Sequence, residues 1–455
     1  MNTVLSARPQ RAGRFSPMAK VAAGVLFLGA LACAPQPASA QFVQQGAKLV
    51  GTGNIGDSGQ GSAVALSADG NTLITGAPND NSGAGAAWVF TRSRGVWTQQ
   101  TELIANDAVG NAQQGIAVAL SADGSTAIVG GVGDNNNAGA AWIFTQSGGV
   151  WTQQGSKLVG SGAVNDAHGA FQGSAVALSA DGNTAIVGDN DGFGAAWVFA
   201  RSDGVWTQQS TKLTGSGTAG GPFGIEQGYA VALSADGGTA IVGGPHDDTK
   251  VGAVWIFTQS GGVWTQHGTK LVGTGAGGAA EQGWSVALSG DGNTLLVGGP
   301  NDSSGAGAAW VFTQSGGVWT QQAKLLGATA LGPSDEGYAV ALSGDGNTAL
   351  VGGIGDNSGV GAVWVFAQSG GVWNQIGPDL VGNGNLGAAN QGQAVALTDG
   401  GNTLIVGGPG DIPASARPGC SCAPTRPTPT TSTTTISATF SGAAPAPRPP
   451  RWRCG

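Results

Sequence analysis

Side chains able to do chemistry are sparse in this sequence. Between positions 41 and 411 there is no cysteine, and the histidines are His168, His246 and His267. Nucleophilic catalysis needs a hydroxyl or thiol beside a base, and no G-x-S-x-G or H-E-x-x-H run is present. His246-Asp247-Asp248 has the residue types of a weak metal site but reads as a solvated loop, and His267 replaces a recurring Gln, as a surface variant would. The stronger candidate is a break in a pattern. Seven Gln-Gly or Glu-Gly pairs are followed in turn by Ser62, Ile116, Ser174, Tyr229, Trp284, Tyr338 and Gln393. Three successive copies therefore carry aromatics, with acids close by at Glu226, Glu281, Asp335 and Glu336. Aromatic faces beside carboxylates can stack a sugar or hold a basic peptide. The competing reading is that the rings only plug gaps between packed units. Tyr229, Trp284, Tyr338, Glu226, Glu281 and Asp335 form the candidate ligand-binding set. No catalytic residue, metal ligand or cofactor is assigned.

The elements that position these residues come from a repeat. Turn aspartates at Asp69, Asp123, Asp181, Asp236, Asp291, Asp345 and Asp399 are spaced 54 to 58 residues apart. One unit, Val286 to Gly327, reads VALSGDGNTLLVGGPNDSSGAGAAWVFTQSGGVWTQQAKLLG. It divides into strand a (Val-Ala-Leu-Ser), an Asp-Gly turn suited to a hairpin, and strand b (Thr-Leu-Leu-Val-Gly-Gly). A Gly/Asn/Asp/Ser loop leads to strand c (Ala-Ala-Trp-Val-Phe-Thr), and Ser-Gly-Gly to strand d (Val-Trp-Thr-Gln-Gln). Four antiparallel strands per ~55 residues is the period of a propeller blade. Blades splay apart with distance from the axis, so inner strands need small residues and outer strands large ones. Strands a and b carry Ala, Val, Leu and Gly. Twelve of the 14 tryptophans fall at two fixed positions, Trp88, Trp142, Trp197, Trp255, Trp310 and Trp364 in strand c and Trp97, Trp151, Trp206, Trp264, Trp319 and Trp373 in strand d. They read as packing residues. The turn aspartates, and the b–c series Asp80, Asp134, Asp247, Asp302 and Asp356, read as Asx-type turn stabilisers.

The ends complete the circle. Residues 42–50 (FVQQGAKLV) match the strand d run Trp151 to Val159, and the last units of the repeat are strands a and b at Ala394 to Gly408. Joining them makes a shared seventh blade and removes open sheet edges. The expected fold is an all-β, seven-bladed propeller over 41–411. Its last blade is shared between the two ends and lacks strand c. After Asp411 the sequence resembles nothing upstream. Deleting one A from GAC-AAT-TCC-GGC gives GAC-ATT-CCG-GC, or Asp-Ile-Pro-Ala, and the other frame permits Ser-Gly-Val-Gly-Ala-Ala-Trp-Val-Phe, close to Ser358 to Phe366. Residues 412–455 thus read as a disordered Pro/Thr/Arg-rich tail produced by a frameshift, with a genuine Thr/Pro-rich stalk as the alternative.

The repeat resembles the FG-GAP repeat, which forms the seven-bladed propeller at the N-terminus of integrin alpha chains and occurs in bacterial exported proteins. Gly76-Ala77-Pro78 is a literal match, followed by Gly-Ala-Ala-Trp-Val-Phe; the Phe of "FG" is replaced by Gln114, Gln227, Gln282 and Glu336. The resemblance implies ligand contact through the face bearing the d–a and b–c loops. Some integrin blades carry a D-x-D-x-D-G calcium loop between strands a and b. Here one carboxylate stands there, short of the 6–8 oxygens calcium prefers. Asp189-Asn190-Asp191-Gly192 is a shortened b–c loop. The Ser-x-Asp-Gly turn is not a sialidase Asp-box, because its glycine comes one place early and the Trp is missing.

Glycine is 85 of 455 residues without a Gly-X-Y period, and charged residues are 10%, which suits short strands and tight turns. All 26 acids lie between Asp57 and Asp411, and the segment 41–411 holds nine cations, a balance of −17. Such a surface repels nucleic acid and anionic lipid. Four cations precede an apolar run from Val21 to Ala34, too short to span a bilayer comfortably, and Ala38-Ser39-Ala40 fits a cleavage site. Residues 1–40 read as a Sec-type signal peptide cleaved after Ala40. Export to the medium or cell envelope follows, with no membrane span in the mature chain. Cys33, Cys420, Cys422 and Cys454 all fall outside 41–411, so burial rather than disulfides must hold the fold. The functional expectation is a monomeric, non-catalytic binding or adhesion module for a protein or carbohydrate ligand. The alternatives are a polysaccharide lyase or glycosidase on a propeller, and a passive scaffold of a larger surface protein.

Overall fold

The computed structural model describes residues 42–163, 169–220 and 224–411, and the backbone of Thr435–Gly442. The leader and its cleavage site, His168, the four cysteines, Trp452 and the rest of the tail lie outside the described residues. The fold is an all-β propeller. Six blades are each built from four consecutive antiparallel strands. Blade 1 runs Ala63–Leu66, Thr72–Ala77, Ala86–Ser93 and Val96–Leu103 as strands a to d. Strand a opens the next five at Ala117, Ala175, Ala230, Ser285 and Ala339. Each strand a lies against the next, and Ala394–Leu397 meets Ala63–Leu66, so the sheets ring an axis.

Glycine sets how closely the sheets approach. A methyl on Gly76 of strand b would overlap the carbonyl oxygen of Gly115 in the next blade. The same opposition recurs at Gly130 with Gly173, Gly243 with Gly283, and Gly407 with Gly61, the last pair spanning the two ends of the chain. On the turn face, backbone N–H groups donate from blade to blade at 2.9–3.0 Å, from Ala68 to Ala122 and onward through Ala180, Ala235, Gly290 and Gly344 to Asp399. Farther out, the strand c tryptophans fill the widening wedge. All six are fully buried, and the indole N–H of Trp88, Trp197, Trp255 and Trp310 donates to the carbonyl of Thr52, Ser161, Ser216 and Thr274.

The a–b turns match the Asx expectation. Asp69 Oδ1 accepts from Ser67 Oγ at 2.6 Å and from the Asn71 N–H at 2.9 Å. Partial burial raises this carboxyl, and those hydrogen bonds overcome it and hold it below its ordinary range. Asp399 departs from the series. It lies one place early, directly after Thr398, and Asn402 takes the hydrogen bond from the Thr398 hydroxyl. The b–c aspartates also depart, because they are buried and bridge separate loops. Asp134 accepts the Val109 N–H at 2.7 Å and pairs with Lys157 at 2.6 Å; Asp302 accepts the Gly277 N–H and pairs with Lys324 at 2.7 Å. The b–c loops themselves wind left-handed, Asn81 at φ 47° and Ser82 at φ 60°, which small polar residues tolerate.

A further sheet joins the ends in the order Phe42–Gln44, Thr435–Gly442, Thr403–Gly408, Ala394–Leu397. The expectation of a missing strand c is corrected here. Thr435–Gly442 is free of proline and charge and rich in β-branched residues, as strands prefer. Its register puts Phe440 opposite Leu404, as Phe90 stands opposite Leu73. Ala438, opposite Val406, takes the place that Trp142 holds opposite Val129. Across the joint, Lys48 pairs with Asp411 at 2.7 Å, and Asp411 also accepts the Leu386 N–H at 2.7 Å.

Candidate functional site

The approach to each strand a is one tight turn repeated around the axis. Its first residue is left-handed, Glu226 at φ 59°, Glu281 at 57° and Asp335 at 54°. Its carbonyl accepts, at 3.1 Å, the N–H of the residue three places on, Tyr229, Trp284 or Tyr338. Between them the Gln is a clamp. Gln282 Nε2 donates to the Gly273 carbonyl at 3.0 Å while its Oε1 accepts the Gly273 N–H, and Gln60 does the same to Gly51. The clamp and the following Gly fix the next side chain at the axis.

Those seven side chains converge. Ser62, Ile116, Ser174, Tyr229, Trp284, Tyr338 and Gln393 line a cavity of 530 Å³, together with Val132, Phe171, Asn190 and Asp191. This lies within the ~300–1,000 Å³ of small-molecule sites. Tyr229 and Tyr338 are the chain's two tyrosines. Their centroids lie 4.6 and 5.5 Å from that of Trp284, with ring planes tilted by 45° and 52°, an arc over one side of the cavity. Burial raises the hydroxyl pKa of both, so the phenols remain neutral donors. The rest of the wall mixes polar Ser62, Ser174, Asn190, Asp191 and Gln393 with apolar Ile116, Val132 and Phe171.

The six predicted residues divide. The three aromatics line the cavity; the three acids do not. Glu281 accepts from Lys250 Nζ at 2.9 Å and from Asn301. Glu226 Oε1 lies 3.0 Å from His246 Nδ1, off hydrogen-bond geometry, so the contact is an ion pair only when the imidazole is protonated. His246 Nε2 is 3.7 Å from Glu281. Burial raises the Glu226 carboxyl, as does Glu281, against the pull of His246 and Lys250. Burial likewise raises Asp335. The reading of His246-Asp247-Asp248 as a solvated loop is thus corrected for His246 and Asp247, while Asp248 is exposed. His246 bridges two d–a acids, and Asp247 is buried, paired with Lys270 and accepting the Ala219 N–H. No local spacing marks these partners, because they come from a different loop.

Two features escaped the sequence reading: the role of Glu336, and where the shortened b–c loop places its side chains. Glu336 occupies a clamp position, accepts the Gly327 N–H at 2.6 Å, and is pushed up to about 7 by burial. In blade 3 the b–c loop, 190–194, has five residues against eight in blade 1, 78–85. It brings Asn190 and Asp191 to the cavity. Asp189 at its base is pushed up to about 7 by burial, with Asp191 adding to the rise. Among the described residues no group of three His, Cys, Asp or Glu could hold a metal ion, and no helix is long and apolar enough to cross a membrane.

Ringed four-stranded sheets around an axial cavity define a β-propeller. The FG-GAP repeat family matches residues 97–144, a span from strand d of one blade through strand c of the next. With the propeller arrangement, this supports an FG-GAP repeat β-propeller protein. No curated protein matches it. Among solved structures it is similar to a putative 6-phosphogluconolactonase from Bacteroides uniformis, at 15% identity and a TM-score of 0.50, over 70% of this chain and 85% of that one. That likeness is one of fold alone.

Proposed function

We propose that this protein is an exported, non-catalytic binding module that takes its ligand, a protein or glycan group, at the axial cavity on the d–a and b–c loop face. Counting the end-joining sheet as a blade, the propeller is seven-bladed. Residues 1–40 direct its export. One observation carries the reading: where the repeat places Ser, Ile or Gln elsewhere, three neighbouring blades place Tyr229, Trp284 and Tyr338, and these converge on one 530 Å³ cavity. A packing plug would be expected to fill such a space, whereas this arc leaves it open. The test is to probe glycan and protein arrays with the wild-type protein and with Trp284→Ala. Binding that disappears in the variant, with unchanged melting, supports the reading; undiminished binding removes it.

A further inference from the structure

The cavity's own chemistry narrows the ligand, on the premise that the axial cavity is the binding site. Two of the three acids that would have recognised a basic peptide are engaged elsewhere, Glu281 with Lys250 and Asn301 and Glu226 against His246, and Asp335 does not line the cavity. What faces the cavity is the aromatic arc and, around the rest of the wall, the polar groups Ser62, Ser174, Asn190 and Gln393 interleaved with Ile116 and two further apolar side chains, with Asp191 as the one charged lining residue. A ligand matching both the arc and the polar groups has an apolar face and a hydroxyl-bearing edge, which is the anatomy of a pyranose ring. The segment 41–411 carries −17, which disfavours anionic sugars. The blade 3 loop adds a direction. Two residues beyond Asp191, Phe193 is 73% exposed, an unusual place for an aromatic ring to face water and next to the shortened wall.

We infer that the axial cavity binds the terminal residue of a neutral oligosaccharide, whose next residues leave over the short blade 3 loop and stack on Phe193.

The experiment is calorimetric titration of the full chain with neutral mono-, di- and trisaccharides chosen by glycan array. A uronic acid disaccharide and an arginine-containing tripeptide serve as comparators. The wild type should bind a neutral saccharide, and the trisaccharide more tightly than the monosaccharide. Loss of one aromatic stacking contact is roughly 0.5–1.5 kcal/mol, up to about tenfold in affinity. Phe193→Ala should therefore lose several-fold for the trisaccharide and nothing for the monosaccharide. Asn190→Ala should weaken both, and Trp284→Ala should abolish both. Because Trp284 packs on two rings, Phe193→Ala and Asn190→Ala keep the test valid if that variant misfolds. If the peptide or the uronate binds in a Trp284-dependent way and no neutral saccharide does, the sugar assignment falls and the cavity stands. If Phe193→Ala leaves the trisaccharide advantage intact, the exit path falls. If nothing binds, or binding ignores both Trp284 and Asn190, the inference and the site fall together.

Discussion

Glu336→Gln should stabilise the protein at neutral and alkaline pH and leave it unchanged in acid. At this clamp position an amide both accepts the neighbouring glycine N–H and donates to its carbonyl, as Gln60, Gln282 and Gln391 do. An ionised carboxylate can only accept. Glu336 is 3% exposed, so the folded state favours its protonated form, and its pKa rises from 4.5 to about 7. Between those values the folded state holds a proton that the unfolded chain has released. Stability must therefore fall as pH climbs from 4.5 to about 7, and then level off. At ~1.4 kcal/mol per unit, the lost stability amounts to about 3 kcal/mol. Unfolding entropy of ~2.1 cal/mol/K per residue over about 370 residues gives about 0.8 kcal/mol/K, hence a Tm difference of about 4 °C. The assay is calorimetric melting of wild type and Glu336→Gln from pH 4 to 8. The gap should open through that interval, while Asp189, common to both proteins, cancels. A gap of equal size at pH 4 and pH 8, or a less stable variant at pH 8, would refute the clamp argument.

Gly243→Ala should destabilise by roughly 1–3 kcal/mol or more, since the new methyl meets the Gly283 carbonyl of the adjoining blade; urea unfolding measures it. Asp411→Ala removes the acceptor of both Lys48 and the Leu386 N–H and should cost about 1–3 kcal/mol, with proteolysis beginning in Phe42–Gln44 before any interior blade is cut. Restoring the alternative frame after Asp411 should raise Tm by placing Trp in the strand c position now held by Ala438; an unchanged or lower Tm, or an in-frame gene read with no missing base, would reject the frameshift.

The blades were legible because each signal is local and repeats. The Asp-Gly turn, the paired strand b glycines and the strand c tryptophan recur at one period, and each has a single structural explanation. The b–c aspartates recur just as regularly, yet their role was not legible. An aspartate in a Gly/Asn/Ser loop looks the same whether it closes its own turn, as Asp69 does, or reaches 25 residues back to cap an N–H, as Asp302 does to Gly277. The lysines that pair with Asp134, Asp247 and Asp302 sit at the end of strand d or just beyond it, 22–23 residues downstream, and only the closed blade brings them in; Asp80 and Asp356 meet Glu102 and Asp379 instead.

The same logic separates the two halves of the candidate site. The aromatics follow the clamp and the invariant turn, so their convergence on the axis is imposed by the repeat itself: whatever residue follows Gln-Gly must face the cavity. The acids lie three places earlier, at the outer edge of the turn, where the environment is set by the b–c loop of an adjoining blade. That loop is the part of the unit that varies, offering His246 and Lys250 in one blade and a five-residue bypass with Asn190 and Asp191 in another. Positions fixed by the repeat can be assigned a place from spacing alone; positions facing a variable loop cannot, and in this propeller the variable loops decide which charges remain free to meet a ligand.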